Sequence, residues 1–177
     1  MKTMLSLLVL TLTLFASACS DDTVQMADGQ DVYFEVSYMN MAWGKQFKGF
    51  LIDKDGKIRT YDKPAKWNSV TEKTELSAAQ MKENVANTVV SDKVVSATEL
   101  KENIAKANDA VSGTLSKPTS GGADRGTTSY YVYRFDAAKL TYVPILLSQT
   151  GDWEIANQNK SAVEISAWLS AILAKVY

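Results

Sequence analysis

Apolar and polar positions along this chain follow three successive patterns. Residues 4–15, MLSLLVLTLTLF, are apolar almost without a break, behind Met1-Lys2-Thr3 and ahead of the small residues Ala16-Ser17-Ala18. A cationic start, an apolar run and a small-residue site make up a secretory signal peptide, residues 1–18. The run is well short of the roughly 20 residues that span a bilayer, and acids follow it. Residues 20–30, SDDTVQMADGQ, are polar, acidic and aperiodic. They read as a tether, residues 19–30, with a reach of up to roughly 35 Å when extended.

From residue 31 onward the patterns are those of a folded domain. In DVYFEVSYMN, Val32, Phe34, Val36 and Tyr38 alternate with Tyr33, Glu35 and Ser37, which predicts a half-buried strand. Strands over 49–52 and 57–61 flank Asp53-Lys54-Asp55-Gly56, a hairpin turn whose Gly56 supplies a positive φ. Two helices follow. Ser77 with Gln80 and Ser96 with Glu99 form capping boxes, and Leu76–Met81 and Val95–Leu100 form hydrophobic staples. Met81, Val85 and Val89, then Leu100, Ile104, Ala107 and Val111, make the apolar stripes, and Gly113 is placed to end the second helix. LSAAQMKENVAN and VSATELKENIAK agree at six of twelve positions. That agreement reads either as a duplicated helix or as two helices started by the same grammar.

Residues 116–129, rich in Gly, Ser and Thr, read as a long loop. YYVYRF and LTYVPILLSQ are strands joined by DAAK, and Gly151-Asp152 turns into WEIA. Pro144 puts its strand at an edge or a bulge. In the last helix Ser161 caps with Glu164, and Ile165, Trp168, Leu169, Ile172 and Val176 recur at helical spacing. Strands separated from runs of helices predict one α+β domain over residues 31–177, an antiparallel sheet of about five or six strands with three helices in the order βββααβββα.

Charge and chemistry narrow the function more by exclusion than by motif. Loss of Lys2 with the signal peptide leaves eighteen cations of nineteen against twenty acids, which gives no electrostatic footprint for nucleic acid. Without histidine there is no Ser-His-Asp arrangement and no imidazole metal ligand, and no metal or other cofactor is expected. Asp53 and Asp55 in one turn, with Asp152 and Glu154 at another, would make a glycosidase-like pair only if the two turns met. Turn chemistry explains the same aspartates without catalysis. SYMNMAWGKQFKGF carries the strongest binding signal. Tyr38, Trp43 and Phe47 either stack on a sugar ring or anchor a protein partner, or Trp43 plugs the end of the core. Trp67 in PAKWNS is a further binding candidate.

Cys19 is the only cysteine. An unpaired thiol on a secreted chain is an oxidation liability, so its retention needs a reason. Ala16-Ser17-Ala18 fits ordinary cleavage, while Ala16-Ser17-Ala18-Cys19 resembles the lipobox of bacterial lipoproteins, with Ala16 where that family usually carries Leu. This resemblance implies cleavage between Ala18 and Cys19, acyl chains on Cys19 and attachment to a membrane. Ser20 resembles outer-membrane sorting, and SDD resembles the acidic signals that carry some Gram-negative lipoproteins to the cell surface. AWGKQFKGFLIDKDGKI and LLSQTGDWEIANQNKSAVEISAWL resemble a group of small bacterial lipoproteins to which no activity is attached. The expectation is a non-enzymatic, membrane-anchored envelope protein with a protein or glycan partner, the alternative a small carboxylate-based envelope hydrolase.

Overall fold

The computed structural model describes residues 29–71 and 73–177. The expected signal peptide, its cleavage residues Ala18 and Cys19, and the expected tether up to residue 28 lie outside them. Gln30, placed in the tether by its sequence, is buried, and its amide donates to the carbonyls of Val32 and Tyr133. The ordered fold therefore takes in Gln30.

The domain is α+β, built on one antiparallel sheet with more strands than expected. The chain runs β1 (Val32–Asn40), β2 (Gln46–Asp53), β3 (Lys57–Asp62), β4 (Leu76–Ser77), α1 (Ala78–Ala86), β5 (Val89–Val94), α2 (Ala97–Val111), β6 (Thr119–Ser120), β7 (Thr127–Asp136), β8 (Thr141–Gly151), β9 (Trp153–Ala156) and α3 (Lys160–Val176). The spatial order is β5-β3-β2-β1-β7-β8-β9-β6, with β4 paired to β8. Three of the nine are additions to the sequence reading: β4, β5 and β6. Val89, assigned above to a helix stripe, opens the edge strand β5 because α1 ends at Ala86. The 116–129 loop contains β6 and the first residues of β7.

β1 lies at the centre of the sheet and is covered on both faces, not one. On one face Phe34, Val36, Phe50, Ile52, Tyr130 and Val132 pack under Leu100, Ile104 and Ala107 of α2 and Ile165, Leu169 and Ile172 of α3. On the other, Val32, Leu51, Tyr133, Phe135 and Tyr142 pack under Leu76 and Met81, with Trp67, Val70 and Val85 alongside. The chain makes a round trip over this second face. From the end of β3, residues 63–71 lead over this face towards β4, beside β8, and α1 returns to β5 on the far side.

Both capping residues read for α1 and α2 act as caps, with differences of detail. Ser77 and Gln80 close the full reciprocal box. Ser96 Oγ accepts from Glu99 N, but the Glu99 carboxylate turns to the Trp168 indole N–H at 2.6 Å and so ties α2 to α3. The cap of α3 is Asn159, whose Oδ1 accepts from Ser161 N, while Ser161 Oγ donates to Asp109. Gly113 follows the α2 C-cap Ser112 and serves close approach: a Cβ there would sit 1.8 Å from Asn157 Oδ1. Pro144 pairs with Tyr133 on one side, and its other side faces the gap between β4, paired at 141–142, and β9, paired at 148–149. The missing N–H costs nothing there.

Candidate functional site

Three cross-strand rows on the second face determine where a site can form. One row is Leu51–Glu35–Tyr131–Leu146, the next Gly49–Ser37–Ser129–Gln149, the third Phe47–Met39–Thr127–Gly151. The middle row is small and polar between bulkier rows, so the sheet surface sinks there. Residues 67–71 cross above it. The result is a cavity of about 380 Å³ lined by Glu35, Ser37, Ser129, Gln149, Phe47 and Trp67 among others.

Glu35 is the chemical centre of this hollow. It is 1% exposed, and it enters the cavity from a central strand. Tyr61 Oη donates to its Oε1 at 3.1 Å, and Tyr133 Oη donates to Oε2. The Trp67 indole N–H faces the same carboxyl but meets no acceptor at hydrogen-bonding geometry, so its influence is electrostatic only. Burial pushes the carboxyl above its usual range, against the pull of these donors. The same burial, with the charge of Glu35 beside them, pushes both tyrosine hydroxyls well above theirs, so they remain donors.

The sequence permits this arrangement through Gly49. A Cβ at that position would lie 2.0 Å from the Val36 carbonyl and 2.6 Å from Tyr61 Oη. Only a glycine lets Tyr61 lie across β2 and reach Glu35. Tyr61 in turn stacks on Trp67, ring centroids 3.9 Å apart, and Phe47 closes the cluster at 5.3 Å from Tyr61 and 6.0 Å from Trp67.

Of the four candidate binding residues, Phe47 and Trp67 meet here. Tyr38 and Trp43 do not. Tyr38 lies on the helix-covered face, with its hydroxyl directed at the Arg125 carbonyl. Trp43 is 79% exposed at the β1–β2 tip, which overturns its reading as a core plug. Glu35 itself went unnoticed because alternation placed it on the wet side of a half-buried strand. A signal was present in YYVYRF, where aromatic residues occupy both parities and therefore both faces.

The carboxylate pair expected for a hydrolase is not assembled. Asp53 pairs with Val32 at one end of β1, while Gly151 pairs with Thr127, itself opposite Met39 at the other. Seven residues at about 3.3 Å each place the two turns roughly 23 Å apart. Asp53 is spent on its turn: it accepts from Asp55 N, Lys57 N and, at 2.7 Å, Arg59 Nε. Asp152 likewise accepts from Arg125 N. A larger cavity of about 500 Å³ beside α1 is lined by Asp31, Lys54, Asp53, Arg59, Lys82 and Tyr142 among others. Lys54–Asp31 at 2.8 Å and Arg59–Asp53 at 2.7 Å already satisfy most of its charge, so it presents less unmet chemistry than the Glu35 cavity.

Among the described residues no group of three or more Cys, His, Asp or Glu converges as a metal site would require, and no helix is long and apolar enough to cross a membrane. Compared with protein-family models, curated proteins and solved structures, the chain matches none.

Proposed function

We propose that this chain is an envelope lipoprotein, held at the outer membrane by acyl chains on Cys19, whose domain is a non-enzymatic binding module for an uncharged, hydroxyl-rich ligand such as a glycan fragment. The observation that carries the reading is Glu35, buried between Tyr61 and Tyr133 at the wall of a cavity whose other lining residues are neutral: hydroxyls, an amide, aromatic rings, Met39 and Val70. A cavity of this size lies within the range that holds small ligands. Among the described residues no lysine or arginine lines it, so an anion would find no countercharge there. Sugars suit such a lining because their hydroxyls pair with Ser, Gln and carboxyl groups while their apolar faces lie on aromatic rings.

The hydrolase reading needs two carboxylates about 5–9.5 Å apart. Among the described residues Glu35 is the one carboxyl lining this cavity, and the Asp53 and Asp152 turns lie at opposite ends of the sheet. Both observations favour binding over hydrolysis.

Isothermal titration of the mature protein with a panel of neutral mono- and oligosaccharides tests the ligand class. Binding by one of them, weakened at least tenfold by Glu35→Gln and by Trp67→Ala, is the expected outcome. Saccharide binding that both variants retain would remove the cavity from the proposal. Intact mass of the mature protein tests the anchor separately: acyl chains on Cys19 are expected, and a free thiol there would refute lipidation.

A further inference from the structure

The β1–β2 tip lies at the opposite end of the sheet from Gly29 and carries chemistry independent of Glu35. The β1–β2 tip, residues 41–45, carries Trp43 at 79% and Met41 at 64% exposure, with Met39 also exposed at its base. Such residues are rarely left in water without use, since burying them elsewhere is favourable. The tip is nevertheless well built. Asn40 Oδ1 accepts from Ala42 N, its amide donates to the Asp124 carbonyl, and Gly44 takes φ +90° to turn the chain.

Beside Trp43 lies a shallow hollow of about 340 Å³ lined by Lys45, Lys48 and Lys63 against a single acid, Asp62. Lys63 is fixed there by its own backbone N–H, which donates to the Phe47 carbonyl at 2.7 Å, and by a left-handed φ of 46°. Lys48 lies over the Tyr177 ring, 4.4 Å from its centroid. Unlike Lys54, Lys106 or Arg59, neither Lys45 nor Lys63 has an acid within ion-pair distance among the described residues. The chain is near neutral overall, so this is a local excess of unneutralised positive charge.

We infer that the 41–45 tip with Lys45 and Lys63 docks on an anionic lipid surface. Trp43 beside Lys45 and Lys63, neither of which meets an acid among the described residues, matches a bilayer interface on both counts, and Met41 adds apolar surface on the other side of the tip, where Asp124 and Asp152 lie. Trp settles at the headgroup level, and each lysine close to an anionic surface adds attraction. A free anion would use the lysines and leave Met41 and Trp43 unexplained. The domain would then touch lipid at the end of the sheet remote from the strand end where Gly29 enters.

The test uses residues 19–177 with Cys19→Ser, which keeps every described residue and carries no acyl chain. It is mixed with vesicles of phosphatidylcholine alone or with phosphatidylglycerol. Co-sedimentation with the anionic vesicles only, falling as salt rises, is expected. Lys45→Gln and Lys63→Gln should each weaken it about fivefold. Trp43→Ser should abolish it with the circular dichroism spectrum unchanged, because that side chain is largely exposed and lies outside both apolar cores. Brominated lipid should quench fluorescence in the parent and spare the Trp43→Phe variant. Absence of vesicle binding, binding that Trp43→Ser retains, or displacement by inorganic phosphate at constant ionic strength would each overturn the inference.

Discussion

At the scale of single residues, Glu35 makes the folded state sensitive to pH in a defined direction. Burial raises its folded pKa above the ordinary 4.5. Between 4.5 and that folded value the native protein keeps a proton that the unfolded chain has released. Native molecules therefore bind more protons across this window, and stability falls as pH rises through it. Glu35→Gln removes the term. The variant should match the parent at pH values below 4.5, exceed it increasingly up to the raised folded value and by a constant margin beyond it, read as the difference in thermal midpoints across a pH series. The lowered carboxyls of Asp92, Asp136 and Glu164 are common to both proteins, so they cancel in that difference. A constant gap at all pH values would mean that Glu35 is not held protonated by the fold. Gly49→Ala addresses the partner side. Its methyl collides with backbone and with Tyr61 Oη, so a loss of about 1–3 kcal/mol is expected in urea denaturation, with Tyr61 displaced from Glu35.

At the scale of elements, most of the fold was legible where a local rule decides the structure. The hairpin at Asp53–Gly56 follows from its glycine, which takes φ +76°, and the starts of α1 and α2 follow from Ser77 and Ser96. Elements decided by distant partners were not legible. β4 and β6 are two residues long and exist because β8 and β9 lie beside them. β5 carries three exposed valines on an edge, a pattern that reads as apolar helix until the Arg59 and Thr60 pairings are known. The site was illegible for the same reason: Glu35 looks solvated until residues 67–71 are placed above it. The sequence match between α1 and α2 likewise joins helices on opposite faces, so the shared Lys-Glu-Asn serves different contacts. Asn84 Oδ1 accepts from Asn68 N, while the Asn103 amide donates to the Glu99 carbonyl. The α3 cap gives a direct check on local reading. Asn159→Ala should cost about 1 kcal/mol, read from the urea midpoint, because Asn159 takes the orphan N–H of Ser161. Ser161→Ala loses only an exposed bond to Asp109 and should cost less; the reverse ranking would return the cap to Ser161.

At the scale of the whole molecule, the two layers over the sheet differ in how they are held. α2 and α3 share one continuous apolar core with β1, β2 and β7, and the Glu99–Trp168 bond ties them together. The round trip over the second face has a smaller core, and its limb between β3 and β4 is mostly irregular chain over the described residues. That limb is pinned by Trp67 on Tyr61 and by Asn84, which treats Asn68 as a strand would: Oδ1 accepts from Asn68 N at 2.8 Å and the amide donates to Asn68 O at 2.9 Å. Weakly held layers open locally without global unfolding. Asn84→Ala removes both bonds, and each unpaired partner costs about 1–3 kcal/mol if it stays buried. Losing both bonds lowers the cost of lifting the limb, with the Trp67–Tyr61 contact left to hold it. Hydrogen exchange of the variant should accelerate over residues 63–75 and α1, while amides of β1 and β7 change only as far as global stability does. Such selective opening would uncover the Glu35 cavity and identify the 63–75 limb as its door. Uniform acceleration across β1, β7 and α3 would instead make the two layers one cooperative unit, with the cavity reached only from its side.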